Sequence, residues 1–99
     1  MARVLVVDDD PEPLAEHLRA EHEVETVRGF PAAIARLFSG PPPEIVISKQ
    51  DLPPYCGSDL LTVVAARFPQ TFRILVPSDC QPSEVGDAVR LWQKLRRSA

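Results

Sequence analysis

Arg3-Val4-Leu5-Val6-Val7-Asp8-Asp9-Asp10-Pro11 decides how this chain is read. Val4–Val7 is an unbroken run of β-branched and aliphatic side chains. It is too short to be a stable helix by itself and shows no polar alternation. That is the pattern of a strand buried on both faces of a parallel sheet. The run ends in three carboxylates and a proline. In open α/β sheets, ligands and chemistry collect at the carboxyl ends of the strands. Asp8, Asp9 and Asp10 therefore stand where a site is expected.

Working outward, Ile45-Val46-Ile47 repeats the apolar run, and Phe72–Val76 reads as a further buried strand with Arg73 near its start. His22–Val27 is short and polar, which suits a sheet edge. Between these lie helical stripes. Leu14, Ala15 and Leu18 predict a helix across Pro11–Ala20 with Asp10 as its N-cap. Ala33, Ile34 and Leu37 predict a second, stopped near Gly40. Leu60, Leu61, Val64, Ala65 and Phe68 predict a third, capped by Ser58 after a loop over Leu52–Gly57. Val85, Ala88, Val89, Trp92 and Leu95 predict a last helix over Ser83–Arg97. Strand and helix alternate four times, the order of an α/β domain with a parallel sheet and right-handed crossovers. Neither a GxGxxG nor a GxxxxGK[ST] phosphate loop occurs.

The 99 residues form one small domain, 1–99. Hydrophobic residues at 44% and charged residues at 25% exclude a disordered chain. A net charge of −3 and a pI near 5.3 argue against nucleic acid as the main partner. No apolar run reaches membrane-spanning length, and the N-terminus opens a strand rather than a leader, so a cytoplasmic protein without membrane contact is expected. Cys56 and Cys80 lack metal-ligand spacing and read as two thiols, with a redox pair as the minor reading. His17 and His22 have no ligand partners at suitable spacing and read as surface residues. The eleven prolines punctuate the periodic segments.

Together these segments resemble the receiver domain of bacterial two-component response regulators. RVLVVDDDP at Arg3–Pro11 is similar to that family's first strand and acidic pair. PPEIVISKQDLPPYCGSDLL at Pro42–Leu61 is similar to its third strand, following loop and third helix, with the Pro-x-x-x-Gly spacing kept by Pro53 and Gly57. RFPQTFRILVPSD at Arg67–Asp79 is similar to the approach to its fourth strand and the strand itself. The resemblance implies a flavodoxin-like fold, a three-layer sandwich on a parallel sheet of four strands in the order 2-1-3-4. The family's fifth strand and one helix are missing. Pro82–Arg97 resembles the family's terminal helix about as well as its fourth.

The departures bear on function. The resemblance implies a phosphoacceptor Asp four residues before the loop proline, and counting back from Pro53 gives Lys49. It implies a Ser or Thr at the end of the fourth strand, where this chain has Pro77, or Ser78 if the register slips by one. Lysine cannot form the aspartyl phosphate, and its ammonium repels a metal. Asp8 and Asp9 alone are weak Mg²⁺ ligands. The expectation is a degenerate acidic pocket of Asp8, Asp9 and Lys49, in which Lys49 pairs with Asp8 or Asp9. This implies a non-catalytic, phosphorylation-independent pseudo-receiver without cofactor. Two alternatives stay open: a working phosphoacceptor using Asp9 or Asp51 with Mg²⁺, and a small α/β enzyme using Asp8, Asp9 and Lys49.

With its last strand missing, the sheet ends on Phe72–Val76, too apolar for a bare edge. The expected partner is protein, first of all a second copy joined through the sheet edge or the terminal helix. Phe72, Ile74, Val76, Val85, Val89, Trp92 and Leu95 are the interface candidates.

Overall fold

The structure, a computed structural model, describes residues 1–98. β1 (Arg3–Val7), β2 (Glu23–Val27), β3 (Ile45–Lys49) and β6 (Phe72–Val76) form a four-stranded sheet in the order β2-β1-β3-β6. Every pairing in it is parallel. This is the flavodoxin-like order 2-1-3-4. The helices are α1 (Glu12–Arg19), α2 (Phe30–Leu37), α3 (Gly57–Arg67) and α4 (Pro82–Ser98). β4 (Asp51–Leu52) and β5 (Tyr55–Cys56) make a separate antiparallel ribbon where the sequence reads as plain loop. Among the described residues, no helix is long and apolar enough to cross a membrane.

The alternation of strand side chains divides the core in two. Val4, Val6, Ile45 and Ile47 point to one face, where Leu14 and Leu18 of α1 and Val85 and Val89 of α4 cover them. Leu5, Val7 and Val46 point to the other, beneath Ala33 and Leu37 of α2 and Leu60 and Val64 of α3. The crossover rule explains the partition. The chain steps one way from β1 to β2 and the opposite way from β2 to β3 and from β3 to β6. Right-handed connections therefore put α1 on one face and α2 and α3 on the other. A helix leading from β6 to a strand beyond it would join α2 and α3. Instead α4 lies with α1, the place of a terminal helix. Relative to the family that the sequence resembles, the stretch without a counterpart lies between β6 and α4, which Pro77–Gln81 alone joins.

Several local expectations are corrected. Pro11, not Asp10, holds the cap position of α1, because its ring presets the backbone angle of a first turn. Asp10 instead donates its N–H to Asp8 Oδ1 at 3.0 Å. α3 begins at Gly57, and the amide of Ser58 is held by Gln50 Oε1 at 3.0 Å, so Ser58 does not cap it. Phe72, Ile74 and Val76 are half-buried while Arg73 and Leu75 are exposed, so β6 alternates rather than being buried throughout. Val85 and Val89, expected as interface anchors, are buried inside the chain at 3% and 0% exposure. Each contributes about 1.5–3 kcal/mol to this core. Trp92 stacks on Phe72 with ring centroids 5.5 Å apart, while Leu95, expected on the same stripe, is exposed. His22, expected at the surface, is buried and accepts the Ala2 N–H on Nδ1 at 3.2 Å.

Candidate functional site: an acidic cleft closed by a lysine

The ends of β1, β3 and β6 meet between the first turns of α1 and α4. The parallel register that pairs Val7 with Ser48 and Lys49 with Val76 brings these strand ends level. Asp8, Asp9, Lys49, Pro77 and Ser78 line one cleft of about 280 Å³, together with Leu14, Cys80 and Val85. Lys49 shares the strand parity of Ile45 and Ile47, so it points to the α1–α4 side. Its Nζ lies 2.9 Å from Asp9 Oδ1.

Gly57 keeps this end of β3 in place. A Cβ there would collide with the Lys49 carbonyl and lie 2.8 Å from Ser48 Oγ. The Gly57 N–H donates to the Gln50 carbonyl at 2.8 Å, which holds the ribbon back against the strand end. The glycine spacing after Pro53 is thus a close-approach requirement just behind Lys49.

The electrostatics separate the two aspartates. Burial pushes the Asp8 carboxyl above its ordinary value, and the nearby Asp9 carboxylate adds to this, whereas the Asp10 amide and Lys49 oppose it. The hydrogen bond from Lys49 holds Asp9 below its ordinary value, with the Asp8 side chain contributing. Lys49 is raised, chiefly by the same bond to Asp9. The pair is therefore ionised on both sides across the neutral range. Among the described residues no group of three or more Asp, Glu, His and Cys side chains is placed to hold a metal. The Lys49 ammonium lies against Asp9.

Asp51, the alternative acceptor, lies in the ribbon opposite Cys56 and does not line the cleft. Cys80 does line it, half-buried, with its thiol pushed up by burial, while Cys56 is exposed, and both are free thiols. Arg28 escaped notice in the sequence. Its Nη1 donates to the Asp9 carbonyl at 3.1 Å. The signal was present in the parallel register, since Val27 pairs with Val7 and sets the next residue beside the acidic run.

No family model matches the sequence, and no curated protein matches it. Solved structures do. The beryllofluoride-activated DrrB receiver domain superposes with a TM-score of 0.79 at 19% identity, covering 95% of this chain and 98% of that one. The chemotaxis response regulator CheY4 of Vibrio cholerae gives 0.72 at 24% identity, over 85% and 74%. A chain of the complex between histidine kinase ThkA and response regulator protein TrrA gives 0.70 at 28% identity, over 82% and 72%. The fold is that of receiver domains in signal transduction, here in shortened form.

Proposed function

We propose that this shortened receiver-like domain is a non-enzymatic pseudo-receiver, a protein-interaction module whose acidic pocket works without phosphate or metal. One observation carries the reading: the ammonium of Lys49, the residue that counting back from Pro53 sets at the acceptor position, is bonded to Asp9 at 2.9 Å. Lys49 supplies permanently the positive charge that a bound cation would supply reversibly. It offers no carboxylate for phosphoryl transfer, and it opposes a second cation beside Asp8 and Asp9. Pro77 has no hydroxyl to meet a phosphoryl group. The complex that contains TrrA supports a protein as partner, since there a response regulator is held by a histidine kinase.

The test is incubation of the full chain with Mg²⁺ and either a small acyl-phosphate donor or beryllofluoride. Intact mass and the amide resonances of the cleft are then followed. The expected result is no phosphoryl mass gain and no saturable shift at Asp8, Asp9 or Lys49. A stable gain of one phosphoryl group would overturn the proposal, and peptide mapping would then assign it to Asp9 or Asp51.

A further inference from the structure

We propose that Arg28 is the positioning residue of the lysine lock, the bond between Lys49 and Asp9. By holding the Asp9 carbonyl it aims the carboxylate of Asp9, rather than that of Asp8, at Lys49. This role rests on the reading above, since Arg28 acts through that bond and touches no ligand.

Register sets the acidic run between two cations. β1 lies between β2 and β3 in the sheet. Arg28 follows the last paired residue of β2, and Lys49 ends β3. The Asp8 N–H donates to the Val27 carbonyl at 3.1 Å, and Arg28 Nη1 donates to the Asp9 carbonyl at 3.1 Å. Successive residues at one strand end therefore hold the chain at the start of Asp8 and again at the end of Asp9. Between these anchors only the dihedrals of Asp8 and Asp9 remain free.

A second hold acts on the same peptide. The Asp9 carbonyl and the Asp10 N–H belong to one planar trans unit, so they point opposite ways. Arg28 takes the carbonyl, and the Asp10 N–H donates to Asp8 Oδ1 at 3.0 Å. Arg28 and the Asp8 carboxylate thus clamp that peptide from its two sides. The clamp fixes the direction of the Asp9 side chain, whose Oδ1 meets Lys49 Nζ at 2.9 Å. It also keeps one oxygen of Asp8 on the backbone and out of competition for the lysine. The charged guanidinium makes its carbonyl bond stronger than a neutral donor would. Glu12, whose carboxylate also feels the Arg28 charge, is bonded to Arg19 at 2.8 Å and leaves the guanidinium to the loop.

Without the Arg28 bond the peptide is free to turn, and Asp8 loses its hold on Asp10. Lys49 already feels the Asp8 charge, so it then divides between the two carboxylates.

Arg28→Met keeps a long side chain and removes the donor. Arg28 is exposed, so the fold should stand, and far-ultraviolet dichroism checks it. Carboxyl-carbon resonances of the full chain, followed against pH, should move in opposite directions. The Asp9 midpoint should rise by about half a pH unit and the Asp8 midpoint fall by about as much. Cross-peaks from the Lys49 ε-protons should pass from the Asp9 β-protons toward those of Asp8. Arg28→Lys keeps a charged donor and should restore the wild-type pattern. Loss of charge alone would raise both midpoints together. Both rising, or neither moving, therefore overturns the role of Arg28 and leaves the lock standing. Asp9 at its ordinary value in the wild type, with no contact to Lys49, overturns the lock and the role of Arg28 with it.

Discussion

Replacing Lys49 with aspartate should turn the cleft into a divalent-cation site. Lys49 Nζ lies 2.9 Å from Asp9 Oδ1. A Mg²⁺ ion bound to Asp9 at about 2.1 Å would therefore sit within about 5 Å of that ammonium. Lys49→Asp exchanges a positive for a negative unit charge there. For a doubly charged ion at that distance in a water-like medium, the change is roughly twenty- to thirtyfold in affinity once salt screening is included. It also supplies the third carboxylate that Asp8 and Asp9 lack. Lys49→Gln removes the repulsion without adding a ligand, so it should gain roughly fivefold. Calorimetric titration with Mg²⁺, read beside the amide shifts of Asp8–Asp10, gives both numbers, and far-ultraviolet dichroism checks that each variant is folded. Wild-type protein that binds Mg²⁺ as tightly as Lys49→Asp would refute the lock, because the lysine would then have swung clear of the ion.

Gly57→Ala should destabilise the fold by about 3 kcal/mol or more in urea unfolding, since the clash is with the Lys49 backbone rather than a movable side chain. Val89→Ala should cost about 2 kcal/mol through two lost carbons and the cavity they leave. It should not alter the oligomeric state, because Val89 is interior. His22 is held below its ordinary pKa mainly by burial. The unfolded chain therefore binds a proton that the folded one resists, and stability should fall as pH drops through about 6.5 and be complete above it. His22→Gln, which keeps an acceptor for Ala2, should flatten that slope. Carboxyl-carbon resonances should show Asp8 titrating above its ordinary value of 3.8 and Asp9 below it. Lys49→Gln should bring Asp9 back up.

The sheet was legible because its information is local. Val4–Val7 and Ile45–Ile47 are apolar on both sides, and only a doubly covered parallel sheet accommodates such runs. The lysine was legible by counting from Pro53, since strand end, proline and Gly57 share one rigid turn. Its choice of Asp9 over Asp8 was not, because that depends on where two side chains aim after a strand has ended. The face taken by α4 was equally hidden. Val85, Val89, Trp92 and Leu95 fit one broad helical stripe, and only the landing beside α1 decides that Val89 goes inside and Leu95 stays out. His22 misled for a related reason. The covering of its ring comes from chain ends and helices distant in sequence, and it accepts a hydrogen bond from Ala2.

On the proposed reading, Lys49 and the short connection between β6 and α4 act on the same property. A switch needs two states and a ligand that binds one of them better. On that reading, the bond between Lys49 and Asp9 removes the change of charge that would distinguish such states, because both partners stay ionised through the neutral range. The short connection Pro77–Gln81 then ties β6, which forms one wall of the cleft, directly to the helix that caps the core. Few residues are left to move between them. On the proposed reading, a domain fixed in one state reports through how much of it is present and what it associates with. A domain so fixed should bind a cation, once the lysine is relieved, without moving its helices. Lys49→Gln titrated with Mg²⁺ should shift the amide resonances of Asp8–Asp10 and leave those of α4 in place. Movement of the α4 resonances on cation binding would refute the fixed-state reading.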